Sequence, residues 1–329
     1  MLRPPSAEPQ SKATPAAASG SVSASSAPPA IETVAVRKRY GDRVALHDLT
    51  LRVEPGEVFG FLGPNGAGKS TAVKIMAGLV RPTTGTARVL GHTPTDPRAR
   101  RRLGYLPELF EFQDWATGEE LLDFHGKLAG MPGRLRRERI DVVLEQVGLG
   151  GRGRDKIGGY SKGMTQRIGL AQALLADPAL VLLDEPTSAL DPVGRRDVRA
   201  LIQQISSEGV TVFLNSHLLS EVELVCDRVA IIDRGRVVRS GRLGELMGPV
   251  VHVRVDVDRV DEALLSAIDR YGDIADVTAT SVTLTVDDAA VAADVGDLVV
   301  RKGYRLFALV PVQQSLEDVF VDLVHGETS

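Results

Sequence analysis

Eight residues, Gly63-Pro64-Asn65-Gly66-Ala67-Gly68-Lys69-Ser70, constrain this 329-residue chain more than any other feature, because they fit G-x-x-x-x-G-K-[ST]. An apolar run, Val58–Leu62, precedes them and a stretch with helical spacing, Ser70–Leu79, follows. Glycines let successive backbone N–H groups wrap phosphate oxygens, and the helix aims its positive end at the same point. Lys69 brings a point charge to the β- and γ-phosphates, and the Ser70 hydroxyl is a ligand for Mg²⁺. The loop predicts a nucleotide site.

A second element, Leu180-Val181-Leu182-Leu183-Asp184-Glu185, is an apolar strand ending in two carboxylates. Asp184 at the strand tip is placed to hold Mg²⁺ through water, and Glu185, one residue nearer the γ-phosphate, to orient or activate an attacking water. The predicted strands Val44–Val53, Val58–Leu62, Leu180–Leu183, Val210–Asn215 and Val229–Ile232 alternate with helical stretches. That alternation predicts an α/β fold with a doubly wound, mostly parallel sheet. Apolar residues recur at helical spacing between Thr117 and Val147, so a helical insertion is expected, within a subdomain at about 109–175. After Met247-Gly248-Pro249 the texture changes. Val251, Val253, Val255 and Val257 alternate with polar residues, as do Val282, Leu284 and Val286. With helices near Asp261–Tyr271, Asp288–Lys302 and Ser315–Val324, residues 249–329 are expected to form a small α+β domain.

Composition closes off other classes. Hydrophobic residues at 43% and charged residues at 25% are ordinary for a globular protein, which excludes a chain disordered throughout. Ala, Pro and Ser supply 21 of the first 30 residues, and residues 1–30 are expected to be a disordered tail. Uninterrupted apolar stretches are short, so no membrane span is expected. A single cysteine, Cys226, cannot form an internal disulfide and fits a reducing compartment. A net charge of −4 disfavours a general phosphate-backbone binder, and Arg134, Arg136, Arg137 and Arg139 read as a solvated helix face. No nucleic-acid partner is expected. His92, His125 and His252 lack metal-ligand spacing.

With these elements in hand, Ile31–Met247 resembles the ATP-binding cassette family of transport ATPases, with every expected motif in order. Tyr160-Ser161-Lys162-Gly163-Met164 is similar to the family's signature loop, Ser188-Ala189-Leu190-Asp191 to the loop that crosses the dimer interface, and His217 to the switch histidine. Tyr40 resembles the aromatic residue that stacks on adenine. Two departures stand out. Lys162 and Met164 occupy positions where many members carry Gly and Gln, and Glu108 stands where a glutamine usually follows the strand Leu103–Leu106. A carboxylate there still ligates Mg²⁺ but adds a charge. Both departures, and the ending Ser315-Leu316-Glu317-Asp318-Val319-Phe320, are similar to the bacterial branch of drug, antibiotic and polysaccharide exporters.

The resemblance implies an ATPase that works as a sandwich of two copies, or of this chain and a related ATPase, around two ATP molecules. Each site would take Tyr40, the loop from Gly63 to Thr71, Glu108, Asp184, Glu185 and His217 from one chain, and Ser161 and Gly163 from the other. ATP and Mg²⁺ are the implied cofactors. A separate multi-helix permease is the implied partner, holding the chain on the inner face of the cell membrane. The aromatics of Phe110-Glu111-Phe112-Gln113-Asp114-Trp115 are expected to line the groove where that permease docks. An importer ATPase, or a non-transport ATPase acting on ribosomes or DNA, is the competing reading.

Overall fold

The computed structural model describes residues 28–188, 190–247, 251–286, 288, 290–313 and 315–325. The expected tail lies almost wholly outside the described residues, as does Ala189 of the interface loop.

Nine strands form one sheet: β1 (Ile31–Tyr40), β2 (Arg43–Val53), β3 (Val58–Leu62), β4 (Thr84–Val89), β5 (Leu103–Leu106), β6 (Leu180–Asp184), β7 (Thr211–Asn215), β8 (Arg228–Asp233) and β9 (Arg236–Arg242), in the order β4-β1-β2-β9-β8-β3-β7-β6-β5. The half from β8 to β5 is parallel. Its central members β3, β6 and β7 are buried at every residue, which explains their unbroken apolar sequences. At the other end β4, β1 and β2 pair antiparallel, and β9 folds back antiparallel on β8. Sequence alternation did not reveal β1, β4 or β9. Strand β9 is almost wholly exposed and holds three arginines, so no apolar period marks it. Its partner is set by the tight turn Arg234-Gly235, both at positive φ.

Among the described residues, eight α-helices accompany this sheet: α1 (Lys69–Met76), α2 (Pro97–Arg100), α3 (Gly118–Leu128), α4 (Gly133–Gln146), α5 (Lys162–Leu174), α6 (Pro192–Ser207), α7 (Leu219–Val225) and α8 (Leu243–Leu246). Helices α3 and α4 are the expected insertion. Thr117 caps α3 reciprocally with Glu120, and α3 and α4 bury Leu121, Leu122, Ile140, Val143 and Leu144 in the apolar cluster that reaches α5. The arginines of α4 are largely taken up locally: Arg134 pairs with Glu138 at 2.9 Å, Arg136 with Asp123 at 2.5 Å, and Arg139 donates to the Leu174 carbonyl at 3.0 Å. Among the described residues, no helix is long and apolar enough to cross a membrane.

The chain then builds β10 (Val251–Val257), α9 (Glu262–Ile268), β11 (Asp273–Val277), β12 (Ser281–Val286), α10 (Val291–Arg301) and β13 (Leu306–Gln313). Their order in an antiparallel sheet, β11-β12-β10-β13, is the βαββαβ arrangement of ferredoxin-like units. Val253, Val255, Val282 and Leu284 face Leu264, Ile268, Val295 and Val299 in a core of its own. The last helix, α11 (Leu316–His325), does not join that core. Leu316 and Val319 are buried in the large cluster of the nine-stranded domain, which also holds Val222 and Cys226. The segment 249–329, expected as one unit, therefore divides, with α11 returning to pack on α7.

Candidate functional site

The phosphate-type loop joins the buried strand β3 to α1, and two glycines make the turn feasible. Gly68 sits at φ 107°, and a Cβ on it would stand 2.5 Å from the Ala45 carbonyl oxygen; one on Gly63 would stand 2.2 Å from that of Ile232. The Ala67 N–H donates to the Pro64 carbonyl at 3.2 Å, and Ala72 closes the first turn of α1 onto Gly68 at 3.0 Å. Lys69 is buried. Its Nζ donates to the Gly63 carbonyl at 2.6 Å and to that of Pro64 at 3.2 Å, which holds the ammonium over the loop. Burial lowers its pKa, against the pull of Glu185, Asp184 and Glu108.

Opposite lie the tips of β6 and β7. Asp184 is 2% exposed and accepts a hydrogen bond from Asn215 Nδ2 at 2.5 Å. Glu185 is buried at φ 54°, a left-handed conformation rare outside glycine, and its N–H donates to the Asn215 carbonyl at 2.8 Å. That backbone turn brings the carboxylate back toward the next strand, where His217 Nδ1 lies 2.7 Å from Oε2. Burial raises both carboxylates above their ordinary range; Asn215 opposes this at Asp184, and His217 opposes it at Glu185.

A cleft of about 620 Å³ runs over these groups. Tyr40, Asn65, Gly66, Gly68, Lys69, Ser70, Thr71, Glu108, Glu185 and His217 all line it. Gly63, Pro64, Ala67 and Asp184 do not line it; Gly63 and Pro64 hold Lys69 through their carbonyls, and Asp184 is hydrogen-bonded to Asn215, which does line it. Tyr40, the last residue of β1, is 45% exposed, with the Lys38 ammonium 4.8 Å from its ring centroid, so sheet packing does not bury it.

Ser161 and Gly163 are elsewhere. They line a second cleft, of about 530 Å³, with Leu190 and Asp191, and it shares no lining residue with the first. Ser161 caps α5 by accepting from the Met164 N–H at 3.3 Å. One chain thus carries both halves of the expected site without bringing them together.

Several residues in and around the site escaped sequence reasoning. Arg43 and Asn215 line the first cleft, and buried Gln166 of α5 donates to the Pro186 carbonyl at 2.8 Å, tying the helix that Ser161 caps to the loop after Glu185. Asn215 stands beside His217 in sequence, but only the register of β7 against β6, Asp184 opposite Asn215, gives it a role.

The donor set suits Mg²⁺. Ser70 and Glu108 offer hard oxygens from the cleft lining and Asp184 offers its own beside Asn215, whose Oδ1 is buried without a hydrogen-bond partner. Among the described residues, no three His, Cys, Asp or Glu side chains gather into a cage. Mg²⁺ commonly takes one or two carboxylates and completes its shell with waters and substrate phosphates.

Comparison with known proteins agrees with this geometry. Residues 46–188 match the family model described as ABC transporter. The uncharacterized ABC transporter ATP-binding protein sll0415 of Synechocystis is 46% identical over 62% of this chain, but that stretch spans only 58% of the relative's length. The daunorubicin resistance ATP-binding protein DrrA3 of Streptomyces coeruleorubidus is 35% identical over 89% of this chain and 90% of its own. Among solved structures, a dimeric post-hydrolysis state of the ATP-binding cassette MJ0796, bound to ADP and Pi, superposes with a TM-score of 0.60, at 26% identity over 65% of this chain and 99% of that one. A glycine loop under a lysine, a carboxylate tip paired with a histidine, and end-to-end likeness to an ATP-binding protein converge: the chain belongs to the ABC transporter family.

Proposed function

We propose that this chain is the ATP-hydrolysing subunit of a transporter, that it dimerises around ATP, and that it drives a separate membrane permease in the export direction. The observation that carries the reading is the Glu185–His217 contact at 2.7 Å in a cleft shared with Lys69 and Ser70.

The loop from Gly63 to Thr71 cradles the triphosphate, with Lys69 moving from the loop carbonyls to the β- and γ-phosphates, and Tyr40 stacks on the base. Glu185 accepts the proton of the attacking water. The Nδ1–H of His217 donates to Glu185, which orients the carboxylate and leaves Nε2 as the nitrogen available to the γ-phosphate. Mg²⁺, held by Ser70, Asp184 and Glu108, would supply charge neutralisation on the phosphate oxygens.

Ser161 and Gly163 of the second copy complete the site, because they lie in a different cleft of their own chain. The start of α5 then faces the γ-phosphate, and the Ser161 cap serves two ends at once. ATP closes the pair, and hydrolysis removes the group bridging the halves. A relative named for daunorubicin resistance supports export, as do Lys162, Met164 and Glu108 at the branch-specific positions.

For the permease groove, Trp115 is the leading anchor. It is 73% exposed beside Phe124 in a separate surface cleft, whereas Phe110 and Phe112 form a tilted ring pair at 5.0 Å and pack, half-buried, against the core. Affinity capture of tagged protein from gently solubilised cells tests the assignment. A multi-helix membrane protein near one-to-one stoichiometry is expected; ribosomal or DNA-repair proteins in its place would overturn the transport reading.

A further inference from the structure

The helix that returns from the ferredoxin-like unit lands on the element that carries the catalytic histidine's continuation. Helix α7 opens at Leu219, directly after Ser216-His217-Leu218. One side of it is fixed from within the domain: Glu221 is buried and accepts from Arg199 Nη1 of α6 at 2.9 and 2.8 Å. Beneath, Val222 is fully buried against Gly60 of β3, where a Cβ would stand 2.9 Å from Val222 Cγ1. The other side is held by α11. The Leu316 N–H donates to Glu223 Oε1, α11 packs on α7, and Leu316 and Val319 are buried in the same apolar cluster as Val222 and Cys226. Helix α11 also begins at a defined residue, because Ser315 N–H donates to Asp318 Oδ2 at 2.9 Å and Asp318 N–H returns to Ser315 Oγ at 3.1 Å.

We propose that α11 is a latch that positions His217, with Glu223 as its positioning residue, so that the ferredoxin-like unit is mechanically part of the ATPase switch. The connection is short: β13 ends at Gln313 and α11 starts at Leu316, so displacement of the unit is passed to α11 with little slack. From α11 it passes to α7, and from the start of α7 to His217, whose ring is itself 53% exposed and is oriented by the single 2.7 Å contact with Glu185. A catalytic contact of that kind loses rate steeply when its partner moves by even a fraction of its length. This rests on the reading of the cleft as an ATPase site.

The test uses the full chain and steady-state ATP hydrolysis. Glu223→Ala removes the acceptor for the Leu316 N–H, and kcat is expected to fall about 2- to 30-fold, the range for coupling mutations outside a site. The KM for ATP should stay within about twofold, since the loop, Tyr40 and Lys69 are untouched. Glu223→Gln, whose amide oxygen accepts the same N–H, should restore kcat. In a His217→Ala background, Glu223→Ala should make no further difference, because the latch acts through that ring. Amide exchange in Glu223→Ala should quicken over residues 216–225 and not in β3 or β6. An equal fold-loss in both backgrounds, or wild-type kcat in Glu223→Ala, overturns the latch alone. A wild-type chain that hydrolyses no ATP overturns the site reading and the latch together.

Discussion

Replacing Glu185 with Gln isolates one proton-accepting oxygen while preserving shape. The side chain is 7% exposed, and its backbone, at φ 54°, already commits the carboxylate to the cleft. Glutamine fills the same volume and retains a partner for His217 Nδ1, so geometry survives and basicity does not. A positioned general base contributes about 10²–10⁴ in rate, equivalent to about 3–5 kcal/mol of barrier. ATP binding should persist, because no loop group is altered and one negative charge leaves the neighbourhood of the triphosphate. The fold should not weaken either, and the sign follows from the titration. Burial raises the pKa of Glu185 above its ordinary 4.5, so the folded state favours the neutral acid, and that stability is fully present below the unfolded pKa and lost as pH rises through the folded one. The wild-type carboxylate loses that stability as pH rises, whereas the neutral amide never carries the charge. Phosphate release, nucleotide titration and thermal unfolding at neutral pH check the three parts. The expected result is hydrolysis down by about 10²–10⁴, ATP affinity at least that of wild type, and an unchanged or higher Tm. Turnover within tenfold of wild type would refute Glu185 as the base. A large drop in Tm would mean that the carboxylate is structural.

Other changes separate the roles of neighbouring groups. Lys69→Ala should weaken ATP binding itself rather than slow the chemistry of bound ATP, and an unchanged nucleotide affinity would contradict the cradle. His217→Ala removes the group that opposes burial at Glu185, so the acid limb of the pH–rate profile should move up; a fixed or falling limb would count against the contact. Asn215→Ala takes away the donor to Asp184 and should cost about 1–3 kcal/mol of stability by leaving a buried carboxylate oxygen unpaired, read from chemical unfolding. Trp115→Ala should leave stability within about 0.5 kcal/mol, as its side chain is mostly exposed, yet weaken permease binding. Phe112→Ala should do the reverse, lowering stability first.

Much of the site was legible along the chain because its chemistry is written in short, contiguous runs. The loop from Gly63 to Ser70 needs its glycines for close backbone approach at Ala45 and Ile232, and the apolar sequences of β3 and β6 announce strands that are buried on both faces. Where a strand is exposed and charged, as in β9, or broken by register shifts, as in β1, the period that would reveal it is absent. Phe110, Phe112 and Trp115 look equivalent in sequence, and only packing distinguishes the half-buried pair from the exposed ring.

The amino-acid sequence by itself determined the nucleotide loop, the Asp184–Glu185 tip, the helical insertion and the two sheet textures, all of them properties of periodicity and local backbone freedom. Tertiary structure alone decided that Asn215 meets Asp184, that Ser161 and Gly163 lie in a cleft apart from Lys69, and that Leu316 crosses 93 residues of chain to meet Glu223. Those relations join distant segments whose closeness depends on strand order and on where a returning helix finds apolar surface to bury, and no local pattern encodes either.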